Sequence, residues 1–290
     1  MRSETRAALL FLAPALTLIA VFFFLPVIAG FALSVTDFDI YSLGNYHNIR
    51  FIALQNYGQL LHNATFWTAL LNTLYFSVVG GPLTVAVSLA AALLVNARLA
   101  RYKPIFRTVY FAPVVTTLVA VAVVWRYLYH PRFGMINLAL ARLGIHGPDW
   151  LGDPKYAMPA IILLAVWKNF GYNMIIFIAG LQAVPEELYE AARIDGAGAW
   201  KQFRHVTLPM LGPTFLFVGI VTAIGYLQLF AEPYVMTRGG PLDRTLSAVM
   251  LMYEQGFRWW RMGYAAAIAL MLFFVIAAAT AIQMRFQEKR

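Results

Sequence analysis

Residues 185–213 read PEELYEAARIDGAGAWKQFRHVTLPMLGP, the longest charged, amphipathic stretch between two strongly apolar ones. Pro185 suits the first position of a helix, and the two glutamates after it interact favourably with the positive end of the helix dipole. Gly196 suits the left-handed residue that ends such a helix. The first half of the stretch is therefore predicted to be a short helix closed by a glycine turn.

A second short helix is predicted after that turn. Trp200, Phe203 and Val206 recur at helical spacing, and Pro209 is expected to mark the end of the helix. The two helices together have the shape of a plug that fits a cleft in a partner. A solvated amphipathic hairpin on the surface is the alternative.

The composition is that of an integral membrane protein. The chain has 290 residues, of which 61% are hydrophobic and 12% charged, and its mean hydropathy is +0.68. Soluble domains carry about 25% charged residues. The net charge is +9, but the cations lie mostly beside apolar runs, whereas a nucleic-acid-binding protein needs a clustered basic face. The absence of cysteine excludes disulfides, thiol nucleophiles and cysteine metal sites.

Six apolar runs are near or above the roughly 20 residues that cross a bilayer as a helix. They cover residues 7–34, 66–95, 109–129, 156–183, 210–230 and 263–284. We therefore predict an all-α integral membrane protein with six transmembrane helices in one domain, residues 1–290. The first run exceeds the roughly 7–15 apolar residues of a signal peptide, although Ala32-Leu33-Ser34 resembles a cleavage site and leaves removal as the alternative.

The distribution of cations predicts that both termini are cytoplasmic. With the amino terminus inside, the inner segments are shorter in total than the outer ones and have the higher cation density. The inner cations are Arg2, Arg6, Arg98, Arg101, Lys103, Arg107, Arg193, Lys201, Arg204, Arg285, Lys289 and Arg290. The same orientation makes residues 184–209 a cytoplasmic loop.

This loop resembles the E-A-A loop of ATP-binding-cassette importer permeases, and residues 184–209 are called the E-A-A loop below. The resemblance rests on Glu190-Ala191-Ala192, on Asp195-Gly196-Ala197, and on Leu208-Pro209 after Val206. It implies a type I importer permease fold. It also implies that the loop docks in a groove on a separate ATPase through Glu190, Ala191, Ala192, Asp195 and Gly196.

ATP binding is expected on that partner and not on this chain. A P-loop needs glycine immediately before its lysine, and no lysine of this sequence follows a glycine. No cofactor is therefore expected here, and ATP with Mg²⁺ is assigned to the ATPase dimer. The resemblance further implies a homologous second permease subunit and an extracytoplasmic solute-binding protein as partners, in the cytoplasmic (inner) membrane of a bacterium or archaeon.

An intramembrane enzyme and a passive channel are the competing classes. The five histidines are scattered, and the sequence contains neither H-E-x-x-H nor G-x-S-x-G, so no catalytic or metal-binding residue is predicted. A passive channel would have no use for an E-A-A loop.

Polar residues at membrane depth mark the candidate solute pathway, since such residues usually face a bundle interior or a cavity. In the fourth and fifth runs these are Lys168, Asn169, Tyr172, Asn173, Thr222, Tyr226 and Gln228. For each residue alone, a hydrogen bond between helices is an equal alternative. For the two clusters together we favour pore lining.

Further stretches resemble carbohydrate permeases of the maltose-type and glycerol-phosphate-type branch. They are AVWKNFGYN at residues 165–173, YVMT at 234–237, GGP at 239–241 and MGYA at 262–265. The resemblance implies that six of these polar residues, Lys168, Asn169, Tyr172, Thr222, Tyr226 and Gln228, bind a sugar. A neutral di- or oligosaccharide is favoured. The alternative is an anionic solute, a glycerol phosphodiester or a uronate, paired with the Lys168 ammonium.

Overall fold

The computed structural model describes residues 2–45, 47, 49–96 and 102–288. Within these ranges the regular structure is helical, and an isolated antiparallel bridge joins Thr36 to Phe51. Five helical runs are long and apolar enough to cross a membrane, and a sharply bent pair of helices makes a sixth. The predicted all-α, six-span architecture is thereby confirmed. Arg98, Arg101, Lys289 and Arg290, which were used to predict the orientation, lie outside the described residues.

The chain folds as two compact units, and the first comprises Met1–Phe66 and Leu251–Phe274. Its amino-terminal helices are α1 (Arg2–Ile19), α2 (Leu25–Ser34) and α3 (Gln55–His62). A π-helical turn, Ala20–Phe24, joins α1 to α2 directly before Pro26, whose missing N–H disrupts the regular ladder. The apolar run Leu9–Ser34 is almost entirely exposed on the single chain, as expected of a helix that contacts lipid or other apolar helices.

Hydrogen bonds tie the two segments of the first unit together. The Asn63 amide donates to the Tyr264 hydroxyl (3.1 Å), and the Gly263 N–H donates to the Phe38 carbonyl (3.0 Å). The Phe31 and Phe273 rings meet edge to face with centroids 6.5 Å apart. The start of the last helix is therefore fixed against the segment that follows α2.

The second unit comprises Trp67–Met250 and Val275–Arg290. The remaining helices are α4 (Ala64–Tyr75), α5 (Gly81–Asn96), α6 (Lys103–Val115), α7 (Leu118–Leu128), α8 (Met135–Arg142), α9 (Ala157–Gln182), α10 (Glu186–Ile194), α11 (Ala199–Gln202), α12 (Leu208–Met210), α13 (Gly212–Leu227), α14 (Ala231–Met236), α15 (Ala248–Tyr253) and α16 (Met262–Glu288). A π-helical turn, Phe76–Gly80, makes α4 and α5 one continuous span. Helix α16 begins in the first unit and ends in the second.

Helix α9 is the most buried span and lies at the centre of the second unit, against α5 and α6. Its carboxyl-terminal half contributes Met174 and Phe177 to a core shared with Leu211 and Val218. At Gly171 the helix touches the backbone of α6, because a Cβ atom there would lie 2.0 Å from the Tyr110 carbonyl oxygen. Only glycine allows this approach.

The third span is broken. The sequence predicted one helix over residues 109–129, but α6 and α7 meet at 97° across the segment between Val115 and Leu118. Thr116 and Thr117 are extended there, with ψ angles of 148° and 135°. Pro113 lies inside the last turn of α6 and β-branched residues follow it, so the local sequence disfavours a continuous helix.

Candidate functional site

The first arm of the E-A-A loop is a helix closed by a glycine turn, as expected from the sequence. Helix α10 begins at Glu186, so Pro185 is its N-cap and not its first helical residue. Gly196 has φ +75°, its N–H donates to the Arg193 carbonyl (3.0 Å), and the Ala197 N–H donates to the Ala192 carbonyl (2.8 Å). This pair of bonds is a Schellman motif. A Cβ at Gly196 would meet nothing within 4 Å, so backbone conformation, and not space, requires glycine.

The second arm continues further than the sequence predicted. Helix α11 leads into a π-helical turn, Phe203–Thr207, and then α12 passes through Pro209 to Met210. The expectation that Pro209 ends this helix was therefore wrong. The proline occupies a first-turn position of α12, where a missing N–H is tolerated, after the π turn has already widened the hydrogen-bond ladder.

Two side-chain hydrogen bonds hold the arms in a fixed relation. The Tyr189 and Thr207 hydroxyls bond at 2.9 Å, and the Gln202 amide donates to the Ala197 carbonyl at 2.7 Å. Within α10, the Arg193 guanidinium forms a salt bridge with the Glu186 carboxylate (2.9 Å), along one side of the helix. Because these bonds restrain both arms, the loop is a rigid connection between α9 and α13 and not a flexible linker.

The outer surface of the E-A-A loop carries exposed apolar side chains. Ile194 is 86% exposed and Trp200 71% exposed, and α10 has no buried residue. Among the predicted coupling residues, Glu190, Ala191, Asp195 and Gly196 are exposed and Ala192 is half-buried. An apolar surface on a rigid charged hairpin is typical of a protein-docking site.

A polar groove of about 490 Å³ lies between the base of this loop and the ends of α5 and α9. Its lining residues are Asn96, Leu181, Gln182, Val184, Glu186, Tyr189, Arg193 and Gln202.

The second candidate region consists of the six predicted polar residues of the fourth and fifth spans and is called the polar seam below. The structure separates these six residues into a buried group and a more accessible group. Lys168 is 8% exposed, and its ammonium donates to the carbonyls of Pro113 (2.6 Å), Val114 (3.0 Å) and Thr116 (2.9 Å). Thr222 is buried and accepts a hydrogen bond from the Asn173 amide (2.9 Å). Both side chains are engaged within the chain in this conformation.

Tyr226 belongs to the same buried group. Its hydroxyl bonds with the Thr84 hydroxyl, and its ring stacks on Phe76 with centroids 4.8 Å apart. The ring fits against Gly80, where an added Cβ would lie 2.8 Å from its Cε1 atom. Tyr226 therefore joins α13 to the π-helical turn of the second span.

The other three residues are more accessible. Asn169 is half-buried and donates to the Ala165 carbonyl of its own helix (2.9 Å). Tyr172 is 45% exposed, and Gln228 at the end of α13 is exposed. These three are the members of the predicted set that are not buried within the single chain.

Four residues near the polar seam were not among the predicted site residues. Asn173 and Thr84 supply the partners of Thr222 and Tyr226, and Gly80 makes room for the Tyr226 ring. In the sequence, Gly80-Gly81-Pro82 interrupts the second apolar run and is the one local signal for this contact. Glu232, which lies outside the six apolar runs, is buried in α14, and only the tertiary packing reveals this position.

The fold and the two regions define a class: a multispan helical membrane protein with a charged helical hairpin between two spans that carry buried polar residues. The family model of the binding-protein-dependent transport system inner membrane component matches residues 8–290, and the chain belongs to this family.

Two relatives and one solved structure are similar over almost the whole chain. The chain is 36% identical to the lactose transport system permease protein LacF of Rhizobium radiobacter, with 97% of this chain and 94% of the relative covered. It is 34% identical to the sn-glycerol-3-phosphate transport system permease protein UgpA of Agrobacterium fabrum, with the same coverage. The fold matches a chain in the crystal structure of a bacterial alginate ABC transporter in complex with alginate pentasaccharide-bound periplasmic protein, with a TM-score of 0.81, 21% identity, and 97% and 94% of the chains covered.

Proposed function

We propose that this chain is the permease subunit of an ATP-driven importer of a neutral di- or oligosaccharide in a bacterial or archaeal cytoplasmic membrane. The observation that carries the proposal is the E-A-A loop, a rigid hairpin with an exposed apolar surface, continuous with the two spans that carry the polar seam. A push on such a hairpin moves both spans as rigid bodies. The family is that of inner membrane components of a transport system, and the sequence contains none of the catalytic motifs named above.

The partner that pushes is a dimer of ATPase subunits bearing ATP and Mg²⁺. Glu190, Ala191 and Ala192 lie in the second half of α10, and Asp195 and Gly196 lie in the turn that follows it, where a groove on the ATPase would enclose them. A second, homologous permease would cover the apolar surfaces that the single chain exposes, and a solute-binding protein would deliver the sugar from outside. In this arrangement both termini and the E-A-A loop are cytoplasmic.

The coupling assignment is tested with Gly196→Pro and Glu190→Lys. Proline cannot adopt the φ of +75° found at residue 196, and lysine reverses the charge on the docking surface. Both variants should insert in the membrane, lose co-purification of the ATPase, and lose uptake.

Gly198→Ala is the matched control, because Gly198 has φ −69° and no atom within 4 Å of an added Cβ. It should assemble and transport normally. Normal uptake by Gly196→Pro and Glu190→Lys would refute the coupling role of the loop.

The solute is proposed to contact the accessible part of the seam. Tyr172 offers an aromatic face and Asn169 and Gln228 offer amides, a combination that suits sugar rings. The lactose permease relative supports a neutral disaccharide.

An anionic solute is the second candidate, supported by the glycerol-3-phosphate relative. The two are distinguished by measuring uptake of radiolabelled lactose and sn-glycerol 3-phosphate by the complete transporter with its binding protein. Uptake of the phosphate ester without uptake of lactose or of any neutral oligosaccharide in a panel would overturn the first candidate.

A further inference from the structure

We propose that Lys168 is the carboxyl-terminal cap of α6 that holds the third span in its broken form, so that its ammonium positions helices and does not bind the solute. The second half of this statement rests on the proposed transport function, whereas the first half concerns the fold alone.

The hydrogen bonds of the ammonium are complete without a ligand. A lysine ammonium has three N–H donors, and those of Lys168 are directed at the carbonyls of Pro113, Val114 and Thr116, at 2.6, 3.0 and 2.9 Å. The side chain is buried, so solvent does not compete for these donors. A solute anion would have to displace carbonyls that have formed short bonds.

The acceptors are carbonyls that α6 itself leaves without partners. The last turn of an α-helix has free carbonyls and forms the negative end of the helix dipole, where a cation is favoured. Here the chain becomes extended at Thr116 and Thr117, so the following amides do not fold back onto these oxygens as a continuous helix would require. The Thr116 hydroxyl supplies one further donor, to the Pro113 carbonyl (2.6 Å). Unsatisfied carbonyls are unfavourable at membrane depth because no water is there to bond them, and the ammonium supplies the missing donors.

The cap lies beside the closest approach of two helices. Gly171, one turn after Lys168 on α9, touches the α6 backbone at Tyr110. The two contacts lie on neighbouring turns of both helices and together fix where α6 ends relative to α9. A lysine stem is long enough to reach past the crossing into the break.

A buried acidic residue lies on a neighbouring helix. Glu232 is 8% exposed. It lies on α14, which packs against both α7 and α9. Helix α14 directly follows the α13 span that carries Thr222 and Tyr226. Loss of the ammonium would leave the carbonyls of Pro113, Val114 and Thr116 without this donor.

The experiment measures the break itself. Because the chain has no cysteine, spin labels can be attached at Val109→Cys on α6 and Tyr127→Cys on α7, whose side chains are exposed. Pulsed electron–electron resonance on the complete transporter in lipid nanodiscs then reports the distance across the 97° bend. Lys168→Met should shift or widen the distance distribution, and Lys168→Gln, which keeps two N–H donors, should have an intermediate effect.

Lys155→Met is the matched control, since Lys155 is exposed in the loop before α9. It should retain the narrow distribution of the unmodified chain. If Lys168→Met does not assemble while Lys155→Met does, the distance distribution of Lys168→Gln is used as the test. A wild-type distance distribution in Lys168→Gln would then refute the capping role of Lys168. An unchanged distribution in Lys168→Met, with uptake lost for sn-glycerol 3-phosphate and kept for lactose, would instead make Lys168 a solute ligand. These distances do not depend on ATPase docking, so failure of the cap and failure of the transport proposal are separable.

Discussion

Replacing Gly171 with alanine tests the crossing of α6 and α9, on which the geometry of the broken span depends. The added Cβ would lie 2.0 Å from the Tyr110 carbonyl oxygen and 2.8 Å from its carbonyl carbon. Both are backbone atoms, so no side chain can rotate away. Since ordinary contact begins at 3.4 Å, the helices must separate by about 1.4 Å (3.4 minus 2.0). The Lys168 bonds to the same end of α6 would then lengthen beyond hydrogen-bonding distance.

The expected loss of stability of Gly171→Ala is the sum of three contributions. Overpacking of a buried contact costs about 1–3 kcal/mol, and loss of a charge-assisted hydrogen bond costs about 1.5–3 kcal/mol. Alanine recovers about 1 kcal/mol through its higher helix propensity. The net destabilisation is therefore about 1.5–5 kcal/mol, and the melting temperature of the assembled transporter should fall by several degrees, at about 2–4 °C per kcal/mol.

The assay compares Gly171→Ala with Gly219→Ala by fluorescence-detected size-exclusion chromatography after heating. Gly219 lies in α13, and no atom of the chain lies within 4 Å of a Cβ added there, so the same chemical change meets open space. Its melting temperature should equal that of the unmodified protein or exceed it slightly. If Gly171→Ala melts at the wild-type temperature and transports normally, the close crossing and the argument built on it are refuted.

Two further outcomes are expected. Lys201→Cys in the E-A-A loop should resist a membrane-impermeant thiol reagent in intact cells. Leu143→Cys, whose position after α8 carries a side chain 75% exposed, should react. Labelling of Lys201→Cys from outside would reverse the proposed orientation. In the polar seam, Tyr172→Ala and Gln228→Ala should leave assembly intact and weaken solute-dependent uptake, with a loss of about 1–3 kcal/mol of solute-binding free energy. Tyr226→Ala should instead lower the melting temperature first, because it removes the contacts with Phe76 and Thr84. Unchanged uptake affinity in the first two variants would move the solute site to the partner permease.

The hydropathy and charge of the sequence determine that the chain is a multispan membrane protein, and the spacing of Glu190, Asp195, Gly196 and Pro209 indicates its family. These are local properties: about 20 apolar residues cross a bilayer wherever they occur, and a glycine turn closes a helix through bonds only a few residues apart. The E-A-A loop could therefore be predicted almost to the residue. The exception is its second arm, where a π turn lets the helix continue through Pro209.

Only the tertiary structure decides what the polar residues at membrane depth do. The sequence leaves pore lining and helix pairing open for Lys168, Thr222 and Tyr226, because their partners are distant in sequence: the Pro113 carbonyl lies 55 residues from Lys168, and the Thr84 hydroxyl 142 residues from Tyr226. The same holds for the break in the third span, where Pro113 makes a bend locally favourable but the 97° direction depends on a cation brought by another helix. A buried polar group takes whichever partner the packing brings within about 3 Å, and that partner is a property of the assembled helices and not of any one of them.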